Sequence, residues 1–132
     1  MAPLDTARGT PAVVGSEHDQ RVSLRTANGS LRLSGDQAAL VGRASGADVM
    51  VAGHRNGNTF EVTSFEVRAV DGIAATDGTL AVEGDQLVIV TADGKRHNVA
   101  HAPPDLKKKS GARVWLTGDL SKGPVSYGII KE

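Results

Sequence analysis

The sequence predicts an all-β protein that contains two copies of a small five-stranded barrel. Three observations indicate this class. Apolar runs are short and most of the 16 glycines lie between them, which is typical of strands joined by tight turns. Only Phe60, Phe65, Trp115 and Tyr127 are aromatic, so the core depends on aliphatic residues. The second half of the chain also resembles the first at an offset of about 65 positions.

The repeat is visible in short segments that keep their order along the chain. Residues 9–13 (GTPAV) match 78–82 (GTLAV), residues 26–29 (TANG) match 91–94 (TADG), and residues 45–47 (SGA) match 110–112. Val49, Val51 and Gly53 correspond to Val114, Leu116 and Gly118 in the same way. We therefore assign residues 1–8 to a flexible N-terminal tail, residues 9–72 to a first barrel and residues 73–132 to a second barrel.

Strand and turn signals alternate within each copy. Val22 and Leu24 alternate with polar residues, which predicts a half-buried strand. Asn28-Gly29 and Asp93-Gly94 then predict two-residue hairpin turns, because these dipeptides tolerate positive φ. Residues 36–40 (DQAAL) and 103–107 (PPDLK) each predict one short helical turn.

The end of the first copy predicts one irregular strand. Asn56-Gly57 is a further hairpin signal, and residues 59–68 follow it as a strand. Phe60 and Val62 share one phase of the alternation, whereas Phe65 and Val67 share the other. A β-bulge near Ser64 would return all four side chains to one buried face.

Each copy therefore reads as three strands, a short helix and two strands, which is the element order of an OB-like barrel. The run "GTL…EG…LVIVTADG…PPDL…SGARVWLTG…YGII" resembles small bacterial OB-like domains of unassigned function, which recur in tandem in secreted and envelope proteins. The resemblance spans about residues 9–132. It implies a fold and brings no catalytic residues. We expect a soluble protein on the cytoplasmic or the envelope side of a bacterial cell.

No group of residues has the pattern of a catalytic, cofactor or metal site. His97 and His101 would lie roughly 13 Å apart on a strand, which is too far for one metal ion. Residues 16–19 (SEHD) contain the letters of a catalytic triad, but adjacent residues cannot adopt its geometry. We therefore predict a protein that is not an enzyme and that has no cofactor.

The charge pattern leaves oligonucleotide binding as the alternative function. The formal net charge is zero, but Lys107, Lys108, Lys109 and Arg113 form a local basic patch. OB-type proteins bind single strands through aromatic platforms and a basic groove, and the second and third strands of both copies lack aromatic residues. The simpler interpretation of the patch is an ordinary solvated surface.

The outward positions of the two copies differ in polarity. Ser23 and Arg25 in the first copy correspond to Val88 and Val90 in the second. Met50 and Trp115 correspond to each other and also point outward if their neighbours face the cores. Strands that are apolar on both sides are covered on both sides.

Either the chain itself or a partner protein covers this apolar face. We expect a non-catalytic protein–protein interaction module that contacts its partner through Met50, Val88, Val90 and Trp115. Its role would be that of an accessory or stabilising subunit of a larger assembly. Such an assembly could be membrane-attached, but no apolar run of this chain is long enough to insert.

Overall fold

The computed structural model describes residues 4–15 and 20–132, and strands predominate in that part of the chain. The prediction of an all-β protein is therefore confirmed. The chain divides into two units, Met1–Arg68 and Ala69–Glu132. The elements that begin in the first unit are β1 (Asp5–Val14), β2 (Arg21–Thr26), β3 (Gly29–Ser34), α1 (Ala38–Gly42), β4 (Asp48–Asn56) and β5 (Thr59–Val70).

The second unit repeats this order of elements. It contains β6 (Ile73–Glu83), β7 (Gln86–Thr91), β8 (Arg96–Asn98), α2 (Pro104–Lys107), β9 (Arg113–Thr117) and β10 (Tyr127–Lys131). The predicted order of three strands, a short helix and two strands is thus found twice. Pro104 begins α2 because the first helical position needs no amide hydrogen.

In the first unit, β1 lies between two antiparallel neighbours. Its second half, Thr10–Val14, pairs with β2, and its first half, Asp5–Gly9, pairs with β4. β2 pairs with β3, β3 pairs in parallel with β5, and β5 pairs with β4. These pairings form a closed cycle in the order β1-β2-β3-β5-β4.

β6 has the same position in the second unit. Gly78–Glu83 pair with β7, and Ala75–Thr79 pair with β9. β8 and β10 extend the sheet on either side, giving the order β8-β7-β6-β9-β10, and no ladder joins β8 to β10 within this unit. The connection after β8 is instead tied to the loop before β10, where the Ala100 amide donates to the Leu120 carbonyl at 2.9 Å.

The N-terminal strand begins earlier than we predicted. Residues 5–8, which we assigned to a flexible tail, are the first residues of β1 and pair with β4. Arg8 also forms an ion pair with Asp48 at 2.6 Å. Three of these four residues are polar and Ala7 is the one apolar residue, so their strand depends on the partner rather than on a local pattern. Residues 1–3 of the predicted tail lie outside the described residues.

A tight hairpin, and not a linker, joins β5 to β6. Ala69 pairs with Ala74 and Val70 with Ile73. The two residues between them both have positive φ, 53° at Asp71 and 78° at Gly72, which is the geometry of a type I′ turn. The predicted domain boundary between residues 72 and 73 falls directly after this turn.

The two matching hairpins differ by one residue. Thr26 pairs with Gly29, so the first loop has two residues as predicted, but they are Ala27 and Asn28 rather than Asn28 and Gly29. In the second hairpin the Thr91 amide donates to the Lys95 carbonyl at 2.9 Å, so three residues, 92–94, form the loop. The prediction of a two-residue turn was wrong there. The Asp93 carboxylate explains the longer loop, because it accepts from the Thr91 hydroxyl and from the Lys95 amide.

Each unit buries its own set of apolar side chains. In the first unit these include Leu24, Leu31, Leu33, Val41, Val49, Val51, Phe60 and Val62. In the second unit the cluster contains Leu80, Leu87, Ile89, Val99, Leu106, Ala112, Val114, Leu116 and Leu120. The burial of β5 changes phase at Thr63 and Ser64, where two consecutive residues are exposed, as expected for the predicted irregularity.

Candidate interaction surfaces

The outward valines of β7 are less accessible than we expected. Leu87 and Ile89 belong to the core of the second unit, and Val88 and Val90 lie on the opposite face of the strand. Val88 is only 2% exposed and Val90 is half-buried. The assignment of Val88 as a partner-binding residue is therefore corrected, because other residues of the chain already cover its side chain. Part of the Val90 side chain remains accessible to solvent.

Trp115 lies flat against its own sheet. It pairs with Gly128 across the β9–β10 ladder. A Cβ atom added to Gly128 would stand 2.5 Å from the indole Nε1 atom, so the ring occupies the space above that glycine. The contact covers one face of the ring and leaves the residue half-buried. Trp115 is thus a rigid apolar feature on the outward side of the second unit.

An ion pair lies beside Trp115. The Arg113 guanidinium donates to both carboxylate oxygens of Asp77, from Nε at 2.9 Å and from Nη2 at 2.8 Å. The Asp77 side chain is 3% exposed and that of Arg113 is 25% exposed. This bidentate pair is strong because two parallel donors of the planar guanidinium bind the two oxygens of one carboxylate. Arg113 therefore links β9 to β6 through Asp77 and is not a free cation of the predicted basic patch.

The lysines of that patch divide in a similar way. Lys109 Nζ contacts Glu132 Oε1 at 2.8 Å, and this hydrogen bond with its charge attraction raises the pKa of Lys109. Lys107 and Lys108 are exposed beside it. Two of the four predicted cations thus have a carboxylate partner, which weakens the patch as an anion site.

Met50 has a charged environment. It is half-buried on β4 between the fully buried Val49 and Val51, and it pairs with Arg8 on β1. Arg8 donates to Asp48 at 3.0 Å from Nε and at 2.6 Å from Nη2. The hydrogen bond from Arg8 holds the pKa of the Asp48 carboxyl below its usual range. Met50 and Trp115 thus occupy matching positions, but their surroundings differ.

The first unit carries an arginine face that the sequence analysis did not identify. Arg25 on β2 pairs with Ser30 on β3, and Ser23 pairs with Arg32 in the next row. Arg25 and Arg32 are therefore diagonal neighbours on the outward side, roughly 7–8 Å apart at their α-carbons. Arg21 continues the same face at the start of β2. The alternation in β2 was visible in the sequence, but only the cross-strand register adds Arg32.

Two shallow recesses lie on this side of the first unit. One is lined by Arg25 together with uncharged residues, namely Thr10, Pro11, Ala12, Val13, Val14, Ser23, Ser30, Ser45 and Gly46. The other is lined by Arg21 and Arg32 together with Val14, Val22, Ser23, Ser30, Leu31 and Asn58. Their linings combine guanidinium groups, hydroxyl groups and aliphatic surface, and among residues 4–15 and 20–132 they include no carboxylate.

In the described part of the chain, the residues that we considered as metal ligands or catalytic groups do not come together in one site. Within residues 4–15 and 20–132, no group of three or more His, Asp or Glu side chains could hold a metal ion. His97 lies on β8, and His101 follows that strand with a φ of 50°. Residues 16–19, which contain the triad letters, lie outside the described residues. In the described part of the chain, no helix is both long enough and apolar enough to cross a bilayer.

Comparison with known proteins adds no assignment. No protein-family model matches the chain, and no curated protein is similar to it.

Proposed function

We propose that the protein is a non-catalytic protein–protein interaction module made of two tandem OB-like barrels. Its role would be that of an accessory or stabilising subunit of a larger assembly. The observation that carries the proposal is the difference between the outward faces of two units that share one pairing scheme. Ser23 and Arg25 stand where the second unit has Val88, which is buried, and Val90, which is half-buried. The two units therefore have different outer surfaces on a similar scaffold.

The barrel part of the proposal rests on the strand pairings. In the first unit they close into a cycle, and the β3–β5 pair is the parallel one. A cycle of this kind, with a short helix between the third and fourth strands, is what a five-stranded OB-like barrel requires. The second unit has the same central arrangement around β6, but its outer strands β8 and β10 do not pair. We interpret it as an opened copy.

The distribution of aromatic residues favours a protein partner over an oligonucleotide. Phe60 and Phe65 are buried, so neither can stack on a base. Trp115 is packed on Gly128 and belongs to the second unit, whereas the arginines of β2 and β3 belong to the first. The observation that favours the oligonucleotide alternative is the pair of exposed cations, Arg25 and Arg32. Cations without a stacking platform supply only part of a single-strand site.

Site-specific photo-crosslinking in the organism that encodes the protein tests this proposal. The photoreactive residue p-benzoylphenylalanine would replace Met50, Val90 or Arg32 in separate variants, and exposed Glu66 would serve as the control position. Circular dichroism would first confirm that each variant folds. We expect at least one of the three positions to crosslink a specific protein that excess unlabelled protein displaces. Crosslinks to nucleic acid, or protein crosslinks no stronger than those from Glu66, would contradict the proposal.

A further inference from the structure

The outward side of β2 and β3 in the first unit carries two neighbouring exposed cations, Arg25 and Arg32. Arg25 and Arg32 are exposed, and neither guanidinium group forms a hydrogen bond or ion pair with another residue among the described ranges 4–15 and 20–132. Their positions are fixed by the β2–β3 register. Two like charges at diagonal positions repel each other, and an anion placed between them would remove that cost.

Aliphatic surface lies directly beside these charges. Val14, at the end of β1, is 51% exposed and pairs with Arg21, so it lies on the same face as Arg25 and Arg32. Ala12 pairs with Ser23, and Ser23 pairs with Arg32, so Ala12 lies in the same cross-strand row as Arg32, two strands away. The recess that contains Arg25 is lined by this segment of β1. A ligand that fits the face therefore has both negative groups and apolar side chains.

An extended acidic peptide combines these two features. Neighbouring strands are about 4.8 Å apart, and side chains on one face of an extended chain repeat about every 6.8 Å. Carboxylates spaced in this way could reach Arg25 and Arg32, and the bidentate geometry of guanidinium suits a carboxylate. The hydroxyl groups of Ser23 and Ser30 lie between the two arginines and can donate to the same oxygens.

We propose that this face binds an acidic, partly aliphatic, extended segment of the partner protein. Arg25 and Arg32 contact its carboxylates, and Ala12 and Val14 contact its aliphatic side chains. The inference rests on the proposed function, because it identifies the chemistry of the partner. It differs from that function in placing the contact on the first unit rather than on the apolar side of the second.

The test is a binding titration on the full chain with defined probes. The main probe is a fluorescein-labelled peptide that alternates glutamate and valine. The comparison probes are a lysine–valine peptide, a glutamate–serine peptide and a labelled oligo-dT strand. We expect the glutamate–valine peptide to bind most tightly and to be weakened by added salt. Amide resonances of residues 10–14 and 23–32 should shift in nitrogen–proton NMR spectra.

Charge reversal supplies the matched comparison. The double variant Arg25→Glu/Arg32→Glu should weaken binding of the glutamate–valine peptide by about tenfold or more, since each lost contact is a charge-assisted hydrogen bond. Lys108→Glu is exposed in the second unit and should leave the affinity unchanged. An undetectable interaction, an equal affinity in the double variant, or tighter binding of oligo-dT would overturn the inference. If the peptide fails while the photo-crosslinked partner persists, the inference alone is lost. If no position crosslinks a protein, the proposed function is lost as well.

Discussion

Arg8 and Asp77 occupy the same position in the two units but carry opposite charges. Each directly precedes the glycine at which the central strand passes from one neighbour to the other, Gly9 in β1 and Gly78 in β6. Their partners also correspond, because Asp48 begins β4 and Arg113 begins β9. The cation is thus on the first strand in one unit and on the fourth strand in the other. A duplicated scaffold that keeps an ion pair while exchanging its ends explains this arrangement.

The Asp77–Arg113 pair should be important for the stability of the second unit. Asp77→Asn removes one charge and leaves the guanidinium of Arg113 poorly compensated in a partly buried site. We expect a loss of about 3 kcal/mol in the free energy of unfolding, measured by urea denaturation, because breaking one side of a buried pair is costly. The double variant Asp77→Leu/Arg113→Met removes both charges and should recover much of this loss. A double variant that is no more stable than Asp77→Asn would contradict the argument.

Gly9 and Gly78 should both be intolerant of a side chain. A Cβ atom at Gly9 would overlap the Arg25 carbonyl oxygen, and one at Gly78 would overlap that of Val90. These are backbone atoms and cannot move away as a side chain can. We expect Gly9→Ala and Gly78→Ala each to cost about 1–3 kcal/mol in urea denaturation, through overpacking. Thr10→Ala and Thr79→Ala, at the next and exposed positions, are the matched controls. Glycine variants as stable as these controls would argue against the close approach.

The packing of Trp115 on Gly128 can be followed by its own fluorescence. The chain has one tryptophan, so the emission reports this ring alone. Gly128→Val should displace the indole from the strand, shift its emission to longer wavelength and destabilise the fold by about 1–3 kcal/mol. Lys131→Val, on the same strand but exposed, should leave the emission unchanged. An unaltered spectrum in Gly128→Val would mean that the ring does not lie on the glycine.

Acid should weaken the attachment of the first half of β1. The hydrogen bond from Arg8 lowers the folded-state pKa of Asp48, so the stabilisation is complete above the unfolded pKa of about 3.9 and is lost as the pH falls through the lower folded pKa. Wild type should therefore melt above Asp48→Asn at neutral pH, and the two melting temperatures should converge in acid. The difference should be small and should shrink with salt, because both side chains are partly exposed. A difference in melting temperature between the two proteins that stays constant down to low pH would exclude this contribution.

Features that depend on neighbours in sequence were predictable. The order of elements, the short helices and the turn after Thr26 follow from alternation, proline and glycine, which act within a few residues. The longer turn after Thr91 was not predictable from Asp93-Gly94, because the Asp93 carboxylate reorganises it. The start of β1 was missed because residues 5–8 have no apolar pattern and become a strand only when β4 lies beside them.

Features that depend on the register between strands could not be predicted from the sequence. Arg32 joins Arg25 on one face only after β2 and β3 are aligned, and no spacing in the sequence states that alignment. The sequence analysis grouped Arg113 with the nearby lysines. In the structure its guanidinium donates to the carboxylate of Asp77, which is 36 positions away, and this ion pair compensates its charge. Long-range pairing therefore decides which of the exposed charges are available to a partner.

The shared pairing scheme of β1 and β6 is the central claim, and cross-strand nuclear Overhauser effects test it most directly. In isotope-labelled protein we expect backbone contacts between Gly9 and Val49 and between Thr10 and Arg25 in the first unit. In the second unit we expect the matching contacts between Gly78 and Val114 and between Thr79 and Val90. Observation of both sets would establish that the two units are copies of one arrangement. A spectrum in which either central strand contacts only one of its two neighbours would contradict it.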